Sequence, residues 1–292
     1  MASKALIYSS ALKDYITLTK PGIVLLVLIT TLTGMYLAQR GFPDPWLVFW
    51  TLLGTGLASA GSAVLNQFFD KDIDVLMDRT KDRPLPAGSI NPKNAFIFGS
   101  LLLAFSALIL LLKVNLIAFF FVFLASFFYV VVYTLALKRK SPLATEVGGV
   151  SGALPPVIGY AAVKGEVGLE ALILFLIMFM WQPPHFWVLA IKYSEDYRRA
   201  GIPTLPVSKG IVHTKIKTLI YTASLMPLSL LPFFYGISGT LYFFSALVLS
   251  GLYLILTLKF VFSKKPNGMF VFFYSVLYIA LLFSVMVFDM RR

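Results

Sequence analysis

Asn66, Asp70 and Asp74 recur at every fourth position of the run NQFFDKDID. In a helix this spacing places the three side chains on one face. Carboxylates at that spacing repel each other, and more strongly near lipid, unless a cation lies between them. Mg²⁺ commonly binds one or two carboxylates together with phosphate oxygens of a substrate. The pattern therefore predicts a Mg²⁺ site. The alternative, an acidic loop in solvent, does not require this register.

Basic residues follow the carboxylates in the segment RTKDRPLPAG. Arg79, Lys81 and Arg83 come soon after Asp74 in the same predicted loop. Cations beside a carboxylate-bound metal form a site for diphosphate, because both neutralise phosphate oxygens. The alternative is that they are ordinary basic residues on the inner side of a membrane protein.

A second polar group lies in the segment WQPPHFWVLAIKYSEDY. Steps of four, seven and four residues separate Trp181, His185, Lys192 and Asp196. They would share one helical face if the helix continues past Pro183-Pro184. An ionisable residue near a membrane interior indicates a functional role. Alternatively, His185 is hydrogen-bonded packing, and Lys192 with Asp196 is a surface ion pair.

The chain is too apolar for a soluble protein. Of its 292 residues, 59% are hydrophobic and 13% are charged, whereas about 25% charged residues is typical of soluble domains. Runs of about 20 apolar residues can cross a bilayer, and helices satisfy their own backbone there. We predict an all-α polytopic membrane protein, its helices surrounding a central cavity open to the cytoplasmic side. About nine spans are predicted, at 22–38, 46–68, 94–112, 115–135, 143–163, 170–190, 216–236, 240–262 and 269–288.

These spans are predicted to form one domain, residues 1–292. A cytoplasmic segment, 1–21, precedes them, and two long inside loops, 69–93 and 191–215, carry most of the acidic residues. Prolines inside the spans are predicted to kink helices rather than to break them. They are Pro155, Pro156, Pro183, Pro184, Pro227 and Pro232.

The distribution of Lys and Arg predicts the orientation. A cytoplasmic N-terminus and an external C-terminus place 20 of the 25 basic residues inside, as the positive-inside rule requires. The net charge of +12 then reflects inside loops rather than nucleic-acid binding. Residues 1–21 lack the features of a signal or transit peptide, which favours the cytoplasmic membrane of a prokaryote. Without cysteine, disulfides, zinc thiolates and a cysteine nucleophile are excluded.

Both polar groups resemble the UbiA-type intramembrane prenyltransferases. The N-x-x-x-D-x-x-x-D run is the first metal–diphosphate motif of that family. The resemblance covers roughly residues 15–290. It also rests on RTKDRPLPAG, YTLALKRKSP, GGVSGALPPVIGY, WQPPHFWVLAIKYSEDY and AGIPTLPV. WQPPHF followed by DYRRAGIP is the most specific part, and it is similar to the branch of the family whose acceptor is heme.

The resemblance implies that a farnesyl group passes from farnesyl diphosphate to a vinyl group of heme B. The products would be diphosphate and a heme with a hydroxyethylfarnesyl side chain. Catalytic roles would fall to Asn66, Asp70, Asp74, His185, Lys192 and Asp196, of which Asn66, Asp70, Asp74 and Asp196 would bind Mg²⁺. Arg79, Lys81, Arg83, Lys138, Arg139, Lys192 and Tyr197 would bind the diphosphate, and Trp181 and His185 the heme. His185 could orient heme, contact its iron or receive a proton.

Gly22 and Glu146 are among the positions that depart from the family pattern, and two other functions remain possible. Gly22 stands where Arg is frequent, and Glu146 where a small polar or amide residue is usual. A related enzyme could prenylate a quinone precursor, chlorophyllide or a glycerol phosphate. A transporter would also have many spans, but transporters place polar residues near mid-membrane, and both groups here lie at span ends. The predicted partners are the lipid bilayer and a downstream heme A synthase.

Overall fold

The computed structural model describes residues 11–263 and 268–291. Within these ranges the chain is helical, with one isolated β-bridge between Ser238 and Met290. The prediction of an all-α protein is confirmed. The predictions made for residues 1–10, Lys264, Lys265 and Arg292 lie outside the described residues.

The helices follow one another with short connections, apart from the two predicted long loops. They are α1 (residues 11–18), α2 (Pro21–Gln39), α3 (Pro45–Asp74), α4 (Pro92–Lys113), α5 (Leu116–Phe127), α6 (Ala144–Ala153), α7 (Pro155–Lys164), α8 (Leu169–Lys192), α9 (Ser194–Arg199), α10 (Leu205–Lys209), α11 (Ile211–Phe234), α12 (Thr240–Phe262) and α13 (Met269–Phe288). After α5 the chain continues directly into a π-helix, Phe128–Leu137.

Eight helical units of the described chain are long and apolar enough to cross a membrane. They are α2, α3, α4, the combined unit Leu116–Leu137, α8, α11, α12 and α13. Each coincides with a predicted span. A chain with this many apolar helices is a multi-pass membrane protein.

The remaining predicted span, 143–163, is divided into α6 and α7. The helical pattern is interrupted at Leu154, immediately before Pro155-Pro156. Proline lacks a backbone N–H and clashes with the preceding turn, which explains the interruption. The expectation of a kink is therefore wrong at this pair. The other four prolines, Pro183, Pro184, Pro227 and Pro232, lie inside continuous helices and do not break them.

The two ends of α2 mark the two ends of the helix bundle. At one end Lys20, which precedes α2, contacts Asn66 near the end of α3. At the other end Arg40 donates hydrogen bonds to Glu170 and to the carbonyl oxygen of Arg291. The last described residue therefore lies at the opposite end of the bundle from Lys20.

Glycines let α2 and α7 pack in backbone contact. A Cβ atom added to Gly34 would lie 2.0 Å from the carbonyl oxygen of Pro156, and one added to Gly159 would lie 1.9 Å from that of Thr31. Small residues at such crossings allow close helix packing in membranes. The contact holds the divided helix pair against α2.

Replacing Gly159 with alanine tests this close contact. Alanine favours helix formation by about 1 kcal/mol over glycine, yet here its methyl group would collide with the backbone of α2. We expect Gly159→Ala to lower the apparent melting temperature in detergent by several degrees, following an overpacking cost of about 1–3 kcal/mol.

The matched control is Gly251→Ala in α12, where nothing lies within 4 Å of the added Cβ. This variant should melt at or slightly above the wild-type temperature. Equal stability of the two variants would show that the α2–α7 contact is not tight.

Candidate active site

A cavity of about 500 Å³ lies within the bundle. Polar and charged side chains from the ends of α2, α3 and α8 line part of it. Apolar side chains line much of the rest, among them Leu26, Val27, Ala58, Val122, Ala125 and Ile158. The cavity therefore suits a molecule with a charged group and a hydrocarbon chain.

The Asn/Asp motif lies at the end of α3, and its two carboxylates are almost fully buried. Asp70 Oδ2 accepts hydrogen bonds from Asn66 Nδ2 at 2.7 Å and from Lys138 Nζ at 2.5 Å. Asp74 Oδ2 accepts a hydrogen bond from Arg83 Nη1 at 2.7 Å. Each carboxylate is thus paired with one basic residue, as buried charges require. The predicted helical register of the motif is confirmed.

The second oxygen of each carboxylate has no hydrogen-bond partner among the described residues. Asp70 Oδ1 and Asp74 Oδ1 are buried, and neither accepts a hydrogen bond. Leaving a buried acceptor unsatisfied costs about 1–3 kcal/mol, and more for a charged group. A cation between the two aspartates would remove that cost.

The donor set fits Mg²⁺. Among the described residues there is no cluster of three or more His, Cys, Asp and Glu side chains. The site instead offers two carboxylates and the amide of Asn66. Mg²⁺ often binds through one or two carboxylates and completes its shell with waters and phosphate oxygens. Asp70 and Asp74, with Asn66 beside them, could hold the ion in this way.

Lys20 is a site residue that sequence reasoning missed. Its Nζ donates hydrogen bonds to Asn66 Oδ1 at 2.8 Å and to the Tyr129 hydroxyl at 3.3 Å. Burial of the ammonium group, with repulsion from Arg83 and Lys138, lowers its pKa to about 7. An anion bound nearby would favour its charged form. The available signal was Lys20-Pro21, because proline at the first position of α2 fixes where the helix starts.

The π-helix contributes three further residues that the sequence did not reveal. Tyr129 and Tyr133 line the cavity with stacked rings, 5.9 Å apart at 7°. Thr134 Oγ1 accepts a hydrogen bond from Asn66 Nδ2 at 3.1 Å. π-Helical segments occur often at functional sites. Here the segment brings aromatic rings and a hydroxyl group to the metal motif from within an apolar run.

The two long loops contact each other. Asp78 pairs with Arg199 at 2.6 Å, and Arg79 Nη2 approaches the Tyr197 hydroxyl at 3.5 Å. Arg199 and Lys81 lower the pKa of the Asp78 carboxyl to about 2, whereas burial raises that of Tyr197. Arg79 and Tyr197 line the cavity. The two polar groups of the sequence therefore meet through these loops.

The structure brings most of the predicted residues to one site. Asp70 lies beside the cavity through its contacts with Asn66 and Lys138. The cavity itself is lined by Asn66, Asp74, Arg79, Arg83, Lys138, Trp181, His185 and Tyr197.

Besides Asp70, four predicted site residues lie outside the cavity lining. Lys81 pairs with Asp78, Arg139 with Asp72 and Asp196 with Arg199, while Lys192 is exposed and lies over the Tyr193 ring. Trp181, His185 and Lys192 all lie in the continuous helix α8, as predicted, but the prediction that Asp196 shares their helical face is wrong. Helix α8 ends at Lys192, and Asp196 belongs to the separate helix α9.

This fold and this site define an intramembrane prenyltransferase. The sequence profile described as the UbiA prenyltransferase family matches residues 27–285. The chain belongs to the UbiA prenyltransferase family.

Curated relatives support the assignment over the whole chain. The protoheme IX farnesyltransferase of Aquifex aeolicus is 62% identical over 283 residues, which are 97% of each chain. That of Roseiflexus castenholzii is 43% identical over 96% of this chain, which spans only 52% of the relative's length.

Solved structures share the fold at low sequence identity. One, from work on digeranylgeranylglyceryl phosphate synthase, has a TM-score of 0.81 at 19% identity and covers 96% of this chain and 98% of the other. A UbiA homologue from Archaeoglobus fulgidus bound to DMAPP and Mg²⁺ has a TM-score of 0.63 at 20% identity, covering 94% and 99%.

Binding of Mg²⁺ by Asp70 and Asp74 can be tested by thermal unfolding. Inorganic pyrophosphate with Mg²⁺ should raise the melting temperature of the wild type, since ligands that bind the folded state stabilise it. Asp70→Asn and Asp74→Asn should lose this Mg²⁺-dependent shift, because each replaces a negatively charged ligand of the ion with a neutral amide. The measurement is a thermal unfolding assay in detergent, with and without Mg²⁺.

The matched control is Asp72→Asn, on the same turn of α3 but exposed and paired with Arg139. It should keep the wild-type shift. If Asp70→Asn or Asp74→Asn also kept it, the ion would be bound elsewhere.

Lys20 gives a second test at the same site. Lys20→Met removes one cation and should weaken binding of Mg²⁺–pyrophosphate roughly 10- to 100-fold, in line with about 1.5–3 kcal/mol for a hydrogen bond to a charged group. The control is Lys13→Met, an exposed lysine of α1. Isothermal titration would detect the difference, and equal affinity of the two variants would remove Lys20 from the site.

Proposed function

We propose that this protein transfers a farnesyl group from farnesyl diphosphate to a vinyl group of heme B, forming heme O. The observation that carries the proposal is one cavity lined by both motifs. Asn66 and Asp74 lie on its polar wall together with Trp181 and His185 of the WQPPHF segment. The strong similarity to a protoheme IX farnesyltransferase supports the same acceptor.

The first step breaks the bond between C1 of the farnesyl group and its diphosphate oxygen. The electron pair leaves with the diphosphate, so negative charge develops at that end of the cavity. Arg79, Arg83, Lys138 and Lys20 are positioned to stabilise this charge. Bound Mg²⁺, held by Asp70 and Asp74 with Asn66 beside them, would supply Lewis-acid stabilisation of the leaving group. Preorganised charges of this kind contribute several kcal/mol.

The second step joins the farnesyl cation to the acceptor. The π electrons of the vinyl group form the new bond to C1, leaving positive charge on the vinyl carbon next to the porphyrin. Water adds there and loses a proton, which gives the hydroxyl group. No nucleophilic Ser or Cys is needed for this chemistry. Tyr129 and Tyr133 line the cavity with their rings and can stabilise an allylic cation there while excluding water.

The site proposal centres on the residues that contact one another. The metal is bound by Asn66, Asp70 and Asp74. The diphosphate is bound by Lys20, Arg79, Arg83, Lys138 and Tyr197, and the heme by Trp181 and His185. Lys81, Arg139, Lys192 and Asp196 stay predictions without a contact in the cavity to support them.

The proposed location is the cytoplasmic membrane of a prokaryote, with the N-terminus inside and the cavity open to the cytoplasm. The excess of Lys and Arg in the loops near Asp70 supports this orientation. The opposite positions of Lys20 and Arg291 in the bundle support an external C-terminus. Heme O would then pass to a heme A synthase as downstream partner.

Another acceptor is the alternative that an experiment must exclude, because the fold is shared with an enzyme of a different name. Purified protein in lipid, given heme B, farnesyl diphosphate and Mg²⁺, should form heme O, detected by pigment chromatography and mass. Excess chelator should abolish the product. Absence of heme O alongside prenylation of a quinone precursor, chlorophyllide or glycerol phosphate would favour the alternative.

A variant series connects that reaction to the site. Asp70→Ala and Asp74→Ala should each lower turnover by at least about 100-fold, the usual scale for lost transition-state stabilisation, while the protein still inserts into the membrane. Asp72→Ala should remain active. Heme O formation at the wild-type rate by either of the first two variants would contradict the metal assignment.

A further inference from the structure

The imidazole ring of His185 is held on both faces. Its centroid lies 4.9 Å from that of Trp181 at 20°, and 4.4 Å from that of Phe272 at 23°. Both neighbours are thus stacked on the ring, which leaves only its edges free for polar contacts. Trp181 is itself fixed, because its Nε1 donates a hydrogen bond to the carbonyl oxygen of Ser275 at 2.7 Å.

One edge of the ring contacts Ser275 of α13. His185 Nδ1 lies 2.6 Å from Ser275 Oγ, and the same Oγ lies 2.6 Å from the carbonyl oxygen of Phe272. A serine hydroxyl has a single proton, and a carbonyl oxygen can only accept. The Ser275 proton therefore belongs to the contact with Phe272, and the proton between Nδ1 and Oγ must come from His185.

This assignment fixes the tautomer of a neutral His185. With the proton on Nδ1, the lone pair is on Nε2, at the other edge of the ring. Among the described residues nothing forms a hydrogen bond with Nε2. His185 lines the cavity, whereas Ser275 is fully buried. The geometry therefore presents an imidazole lone pair to the site from a rigid support.

We propose that His185 Nε2 is an axial ligand of the acceptor's iron, and that Ser275 is a positioning residue that holds His185 in the competent tautomer. The inference rests on the proposed function, since the iron belongs to the heme substrate. Histidine that ligates a metal almost always donates its other N–H to a neighbouring group, which sets the ring orientation. Ser275 is that group here.

The competing role for the same lone pair is acceptance of a proton from the water that adds to the vinyl-derived cation. The two roles differ in the resting complex. A ligand changes the absorption spectrum of bound heme before any farnesyl diphosphate is added, whereas a base leaves that spectrum unchanged.

The experiment is a spectroscopic titration of the purified full chain with hemin in lipid nanodiscs, without farnesyl diphosphate. The wild type should give the Soret band of histidine-ligated heme. His185→Ala should lose that band and regain it on addition of free imidazole. Ser275→Ala should weaken heme binding by about 10-fold or more, the usual scale for loss of a group that supports a metal ligand.

Ser284→Ala is the matched control, because Ser284 lies on the same helix and is exposed. It should bind heme like the wild type. The Trp181 contact uses the backbone of Ser275, so Ser275→Ala leaves that support in place.

Two outcomes would overturn the inference. A wild-type spectrum in His185→Ala would show that His185 is not the ligand, and equal heme affinity in Ser275→Ala and Ser284→Ala would remove the positioning role. Either could occur in a protein that still forms heme O, in which case the proposed function stands. A wild type that neither binds hemin nor forms heme O would overturn the proposed function itself.

Discussion

Two buried carboxylates impose a constraint on everything around them. Asp70 and Asp74 lie in a membrane helix, where removing an ion from water costs several kcal/mol. Each is compensated by one cation, Lys138 or Arg83, and within the described part of the chain each keeps one oxygen without a hydrogen-bond partner. The cations come from different connections of the chain. Because Arg83 and Lys138 must reach these carboxylates, the loop before Pro92 and the end of the π-helix must both lie beside the end of α3.

The surrounding helices and loops form a charged region and an apolar region. The end of α3, Lys20 and the basic loops form a polar region at one end of the bundle. Beyond it, the cavity is lined largely by apolar side chains, among them Ile158 of α7, and α7 packs directly on α2 through Gly34 and Gly159. This arrangement suits a prenyl diphosphate, whose charged end needs counter-charges and whose chain needs apolar surface.

The diphosphate region and the acceptor region are specified separately. The fold is shared with solved structures at about 20% sequence identity. In the proposed function, acceptor choice comes from side chains such as Trp181 and His185. Their rings are fixed by contacts with α13, above all with Ser275. A rigid acceptor wall is useful because alkylation requires the vinyl group to be held close to the short-lived cation.

The sequence by itself determined the membrane class, the position of eight spanning helices, the register of Asn66, Asp70 and Asp74, and the family. These follow from local chemistry, namely apolar run length, helical spacing and motif identity. Only the tertiary structure decided which charges meet. Lys20, Tyr129 and Thr134 join the site across long sequence separations, whereas Lys192 and Asp196 do not line it because α8 ends at Lys192. A side-chain contact depends on where two distant segments come together, and the spacing within one segment carries no information about that.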